Sequence, residues 1–244
     1  MAAPEFILSN LMIMIISFLL LPNYSAPLEF NYPALEQQNP NLTAQGNVTF
    51  LGSEEQLTKN KKDQIGRLRY FHQPMRLWET SSGLLMEADF ITQFSFMIHS
   101  NDWAPGDGIA FFLAQPPFSV PKITDGSCAA FGTRIRVMIA LYANRFAAVE
   151  FDTFKNDFDP RDLQEHVGLN VNSMVSRATA SWSGYDQEGS HIEQTLSHRI
   201  NLVDHLPERV VFGFSAANGL FTSKNVLSSM VFLVRDTKDS TTTI

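Results

Sequence analysis

Apolar and polar positions along this chain alternate with a period of two. In "ADFITQFSFMIH" (88–99), Phe90, Thr92, Phe94, Phe96 and Ile98 fall on one face, while Asp89, Gln93, Ser95 and His99 fall on the other. "GIAFFLA" (108–114) is apolar throughout, the mark of a strand covered on both faces. "RVVFGFSAA" (209–217) sets Val210, Phe212 and Phe214 against Val211, Gly213 and Ser215, and "VLSSMVFLV" (226–234) reads as a last strand. Clusters of Gly, Pro, Asn and Asp separate these runs. No amphipathic helix and no short repeat interrupts them. The pattern predicts an all-β chain: an antiparallel β-sandwich of the jelly-roll type, forming one domain over residues 27–235. The remainder, 236–244, is polar and is expected to fray.

Composition narrows the function classes. The 244 residues are 44% hydrophobic and 18% charged, an ordinary globular balance. Twenty are Phe, which suits sheet cores. A net charge of −7 argues against nucleic acid as a partner. The one dense basic stretch, "KNKKDQIGRLR" (59–69), reads as a solvated loop. Residues 1–26 differ from the rest. "LMIMIISFLLL" (11–21) is an uncharged run of signal-peptide length, and Ser25–Ala26 offers small residues for cleavage. Lys and Arg are absent from the segment before it; an uncleaved anchor is the competing reading. A secreted, extracellular chain follows. The sequons "NLT" at Asn41 and "NVT" at Asn47 fit glycosylation there. A single cysteine, Cys128, excludes an intrachain disulfide.

The candidate chemistry sits in "AAVEFDTFKNDFDP" (147–160). On a strand, Glu150 and Asp152 share one face, two residues apart. Carboxylates that close repel, and one takes up a proton unless a cation lies between them. Asn156 and Asp159 add oxygens from the following turn, and His166 opens "HVGLNVNS". Hard oxygen donors suit Ca²⁺, and an imidazole added to carboxylates suits a transition ion such as Mn²⁺. A solvated acidic loop and a glycosidase acid–base pair are the other readings of the same residues. "GFSAA" (213–217) misses the G-x-S-x-G nucleophile elbow by its last residue and lies in a strand pattern with no helix after it.

"VEFDTFKNDFDP…HVGLNVNS" resembles the metal-binding signature of the legume (L-type) lectins, the concanavalin A-like sandwich. "NLTAQGNVTF", "GRLRYFHQPMRLW", "FITQFSFMI", "GDGIAFFLA" and "LPERVVFGFSAANG" resemble further segments of that family in its order, from about Phe30 to Phe232. The wording looks most like the extracellular domains of plant lectin receptor kinases. The resemblance implies a non-enzymatic glycan-binding protein that needs Ca²⁺ and Mn²⁺. It implies that Glu150 and His166 hold the transition ion, that Asp152 and Asp159 bridge both ions, and that Asn156 and the Phe154 carbonyl bind Ca²⁺. Ser176 would reach the transition ion through water. Sugar would meet Asp107, an amide at Gly126, Asn156 and the ring of Phe154. The loop from about Asn218 to Lys224 would tune specificity. Pairing of two copies through the back sheet is a further expectation.

One departure stands out. Between Trp182 and His198 the family carries two more strands, and this chain has only "WSGYDQEGSHIEQTLSH". A hairpin is therefore expected to be missing, which leaves strand edges unpaired and part of the core uncovered. A lectin-like storage, defence or interaction protein without sugar binding is the alternative this departure favours.

Overall fold

The computed structural model describes residues 28–36, 39–101, 103, 105–116, 145–181 and 195–239. The expected signal peptide, Gly126, Cys128 and most of the shortened stretch after Trp182 lie outside them.

Among the described residues thirteen strands follow one another: β1 (Glu29–Tyr32), β2 (Leu42–Gly46), β3 (Thr49–Leu51), β4 (Glu54–Thr58), β5 (Gln64–Arg76), β6 (Trp78–Ser81) and β7 (Leu84–His99), then β8 (Gly108–Ala114), β9 (Phe146–Asp152), β10 (His166–Val171), β11 (Ala178–Ser181), β12 (Arg209–Asn218) and β13 (Lys224–Asp239). Among the described residues the only helical turn is the 3-10 turn Leu202–Asp204, capped by the Asn201 side chain. The strands form two antiparallel sheets. One has seven strands in the order β11-β10-β9-β8-β12-β5-β2; the other has six, β3-β4-β13-β7-β6 with β1 also on β13.

The period-two pattern of β7 holds. Phe90, Thr92, Phe94, Phe96 and Ile98 are half-buried towards the other sheet, and Ile91, Gln93, Ser95, Met97 and His99 are exposed. β8 is buried along its whole length because both faces are covered. Phe111 and Leu113 join the core between the sheets, whereas Phe112 and Ala114 join a second apolar cluster with Phe146, Ala148 and Val211. The central core is built of near-parallel rings. Phe212 lies 4.1 Å from Phe232 and 5.1 Å from Tyr70, and Phe30 lies 5.0 Å from Tyr70.

Two expectations change. The basic stretch 59–69 is not all loop: from Gln64 onward it is β5, inside the seven-stranded sheet. Arg67 is 1% exposed with its guanidinium 5.5 Å from the Phe112 ring, and burial, followed by the nearby charge of Arg69, lowers it to about 10. The tail does not leave the sheet at 236, because β13 stays paired with β7 as far as Asp239 opposite Met86.

On the side of the seven-stranded sheet formed by β9 and β10, the packing is looser. An apolar cleft of about 470 Å³ opens there, lined among others by Phe90, Phe94, Phe111, Val149, Phe151 and Leu169. Val149, Phe151 and Leu169 are only half-buried although they face inward.

Candidate functional site

Strand alternation and register assemble the site. β9 carries Glu150 and Asp152 on one face. β10 runs antiparallel to it and places His166 opposite Asp152 and Gly168 opposite Glu150. On the other side, β8 sets Gly108 opposite Asp152 and Ala110 opposite Glu150. Glu150 therefore lies between two small residues, and Asp152 between Gly108 and His166. A Cβ at Gly168 would stand 2.5 Å from Glu150 Oε1 and 2.3 Å from Ser176 Oγ, so a larger residue there would displace this carboxylate and hydroxyl from their present positions.

Glu150, Asp152 and His166 each offer a ligand atom, and these atoms lie within 4.8 Å of one another. All three residues are buried, and so is Asp159. His166 is 0% exposed, and neither ring nitrogen has a hydrogen-bond partner among the described residues. Its Nε2 is 3.5 Å from Glu150 Oε1, beyond a good hydrogen bond. Ser176 Oγ donates to the same oxygen at 2.6 Å. The following turn is closed from within. The Phe154 amide donates to Asp152 Oδ1 at 2.7 Å, the Asn156 amide to Asp159, and Asn156 Nδ2 to the Phe154 carbonyl at 2.9 Å.

The electrostatics are those of a cluster lacking a counter-charge. Burial, then the Asp159 carboxylate, raises Asp152 to about 8. Burial raises Asp159 as well. Burial opposes the charged form of His166, but Glu150, Asp152 and Asp159 outweigh it and the net shift is upward. Three buried carboxylates and an unbonded imidazole are costly alone and fit a divalent cation, which would take up the unpaired nitrogen and offset the repulsion. These donors are the mixture of oxygen and nitrogen that a Ca²⁺ and a transition ion divide between them.

Asp107 joins this cluster. It lines the same pocket, of about 80 Å³, with Glu150, Asp152, Asn156, Phe158 and Met174. Its turn is anchored on both sides: the Gly106 amide donates to Ser223 Oγ at 3.0 Å, and the Gly106 carbonyl accepts from Thr153 Oγ1 at 3.2 Å. Gly106 and Gly108 are each required. A Cβ on Gly106 would lie 2.2 Å from the Phe221 carbonyl oxygen; one on Gly108, where φ is +111°, would lie 2.1 Å from that of Phe151. Burial lifts Asp107 to about 6, with its own amide and that of Gly219 partly opposing.

Of the residues singled out in the sequence, Asp107, Glu150, Asp152 and Asn156 line one pocket, with His166 and Asp159 buried against them. The Phe154 ring lies 5.3 Å from that of Phe221, and Phe154 meets the cluster through the amide that donates to Asp152. Gly126 falls outside the described residues. Sequence reasoning passed over Gly168, whose signal was a glycine inside a strand, where a close approach is expected. It also passed over Ser223, Thr153 and Phe221, which carry no local signal because only the fold brings them to Gly106 and Phe154. Asn41 and Asn47 are both half-buried: Asn41 Nδ2 donates to Tyr32 Oη at 2.9 Å, and Asn47 Oδ1 accepts from the Ile65 amide at 3.0 Å.

The family profile described as Legume lectin domain matches residues 27–194. An α-methyl-mannoside-specific lectin of Arachis hypogaea is 35% identical over 251 positions, which cover 88% of this chain and 88% of the relative. Those positions outnumber the residues this chain contributes, so the relative carries residues that are lacking here. A galactose-binding lectin of the same plant is 33% identical, covering 79% of this chain and 77% of its own. Among solved structures, peanut lectin with a nine-residue peptide superposes with a TM-score of 0.69 at 31% identity, over 86% of this chain and 98% of the other. The basic winged bean lectin with Tn-antigen gives the same TM-score at 27% identity, over 86% and 99%. By profile, relatives and fold alike, the chain belongs to the legume lectin family of carbohydrate-binding proteins.

Proposed function

We propose that this chain is a secreted, non-enzymatic lectin whose recognition of glycans depends on Ca²⁺ and Mn²⁺. Glu150 and His166 would hold the transition ion, with Ser176 in support through water; Asp152 and Asp159 would serve both ions; Asn156 and the Phe154 carbonyl would complete the Ca²⁺ site. When bound, the ions supply positive charge that fixes the carboxylates. Asn156 and Asp107 then present a fixed donor and acceptor to sugar hydroxyls, the Phe154 ring covers an apolar sugar face, and Gly126 adds an amide. The carrying observation is His166, wholly buried with neither nitrogen hydrogen-bonded and with buried carboxylates around it. An acid–base pair for glycoside cleavage fits less well. Glu150 already accepts from Ser176 and faces His166, and neither carboxylate is open enough to flank a glycosidic bond.

Pairing of two copies through the six-stranded sheet belongs to the same reading, since Ile91 and Met97 stand exposed on its outer face. So do glycosylation at Asn41 and Asn47 and a role in plant defence or recognition at the cell surface. The cleft of about 470 Å³ favours a second reading, a lectin-like protein that keeps the fold without binding sugar. Calorimetric titration with methyl α-galactoside and methyl α-mannoside separates the two. The first reading expects binding by one of them in Ca²⁺ and Mn²⁺, its loss in EDTA, and its return when metal is restored. No binding, or binding indifferent to EDTA, contradicts it.

A further inference from the structure

One corner of this acidic molecule is basic. The chain carries a net charge of −7, yet four of its seven lysines meet here. Lys59, Lys61 and Lys62 stand exposed on the turn between β4 and β5. Lys224 arrives from the far end of the sequence. β13 sets Asn225 opposite Thr58, the last residue of β4, so Lys224 and Lys59 are the adjoining positions of the two strands. On its other side Lys224 is paired with His99, the exposed last residue of β7. Across the segments 58–64, 98–101 and 222–225, Asp63 is the one carboxylate.

Buried polar groups hold the corner from beneath. Asn218 donates through Nδ2 to the carbonyls of Lys59 at 2.7 Å and Lys61 at 3.1 Å. The Lys61 amide donates to the Lys59 carbonyl at 2.6 Å, and the Lys59 amide to Gln64 Oε1 at 2.8 Å. Thr58 Oγ1 donates to the Ser223 carbonyl at 2.9 Å and accepts from Asn225 Nδ2 at 2.7 Å, which ties the turn to the start of β13. Thr58, Asn218, Ser223 and Asn225 are all wholly buried. Like charges on a loose loop separate; here the backbone keeps them together. A ligand that binds them need not first order the loop. None of these basic residues lines the Asp107 pocket. The corner nevertheless lies at the same end of the sandwich, because Ser223, next to Lys224, accepts from the Gly106 amide.

We infer that Lys59, Lys61, Lys62 and Lys224 form a binding site for an acidic polysaccharide, one whose carboxylate or sulfate groups recur along its length. An exposed ion pair contributes little by itself, so useful affinity needs several anions on one ligand. The lysine ammonium is a compact point charge that takes carboxylate and sulfate alike. A dense polyanion such as nucleic acid would be repelled by the remainder of a chain of charge −7, whereas a glycan with spaced acids can meet the corner alone. Carbohydrate is also the ligand class of the family to which the chain belongs. The site uses no metal ion, and so it goes beyond the Ca²⁺-dependent recognition proposed above and does not rest on it.

The test is fluorescence anisotropy of labelled oligogalacturonate, heparin oligosaccharide and neutral dextran with the whole chain in EDTA. One or both of the acidic glycans should bind, the tighter naming the acid, and dextran should not. Affinity should fall about tenfold between about 50 and about 200 mM NaCl, because the contacts are exposed and screened. Lys61→Glu and Lys224→Glu, in segments far apart in sequence, should each weaken binding about fivefold, and Lys61→Gln by less. Arg209→Glu is the control. It makes the same change in net charge at the exposed first residue of β12, the opposite end of that strand from Asn218, and should weaken binding less than about twofold. Lys61 and Arg209 are both exposed, so these variants should keep the melting midpoint of the parent chain. Failure of both acidic glycans, an equal loss in Arg209→Glu and Lys61→Glu, or tighter binding of a single-stranded oligonucleotide of equal charge overturns the site. None of those results touches the Ca²⁺-dependent reading, and failure of the methyl glycosides to bind leaves this site standing.

Discussion

The ring stack of the core and the carboxylate cluster of the pocket are both buried, and only one of them is complete in itself. Phe212 and Phe232 sit 4.1 Å apart with parallel planes, and each is 0% exposed. Nothing further is needed there, because apolar groups are satisfied by one another. Around His166 the same degree of burial holds acids at raised pKa and an imidazole without hydrogen bonds. A polar group is satisfied only by a partner, and the described residues provide too few. The difference separates groups that complete one another in the fold from groups that are left wanting a partner.

The sharpest way to break that contrast is in the stack. Phe232→Ala should cost about 3–5 kcal/mol of stability. The loss should be the same in EDTA and in Ca²⁺ plus Mn²⁺, because distant sites add. Chemical denaturation in both buffers checks this, and a loss that depends on metal would show that the stack and the cluster are coupled. Next in size is His166→Ala. At a hundredfold excess over the dissociation constant, a metal that binds only the folded chain contributes about 2.7 kcal/mol. The variant should lose most of that increment. A variant that still gains it would remove His166 from the site.

The pH dependence is the next test. Burial raises Asp152 to about 8 and Asp107 to about 6 from an ordinary 3.8. The folded chain therefore keeps protons that the unfolded chain releases, and stability without metal should fall as pH rises through this window. Cations compete with those protons, so the gain on adding metal should grow over the same range. Melts in EDTA at pH 5 and at pH 8 would measure the slope, and a midpoint that climbs with pH would contradict it. The smallest effect belongs to Ser223→Ala. Removing the acceptor of the Gly106 amide should cost about 1 kcal/mol. It should also weaken glycoside binding a few-fold in calorimetry, because the turn that presents Asp107 loses an anchor.

Much of this was legible in the sequence where local pattern governs. The alternation of β7 assigned its inner and outer faces, and the unbroken run of β8 marked a strand covered on both sides. The spacing of Glu150 and Asp152 placed both on one face of a strand, and the register of β9 with β10 then supplied His166. Elsewhere the chain was misleading. Charged residues on both sides of Gly66 read as a loop, yet tertiary packing draws Arg67 into a sheet where its guanidinium faces Phe112 and its methylenes are covered. A polar composition predicted fraying from 236, yet pairing with the long strand β7 holds the backbone to Asp239. Ser223, Phe221 and Gly168 act through contacts made across the fold, and no single-sequence pattern encodes those.

The most direct test of the account is a thermal melt of the intact chain in EDTA, repeated after Ca²⁺ and Mn²⁺ are restored. A cooperative transition whose midpoint rises with metal, and rises further with the glycoside that binds, is the predicted result. A midpoint that is the same in EDTA and in metal would mean that the Glu150, Asp152 and His166 cluster holds no ion, and the account of recognition built on it would fail.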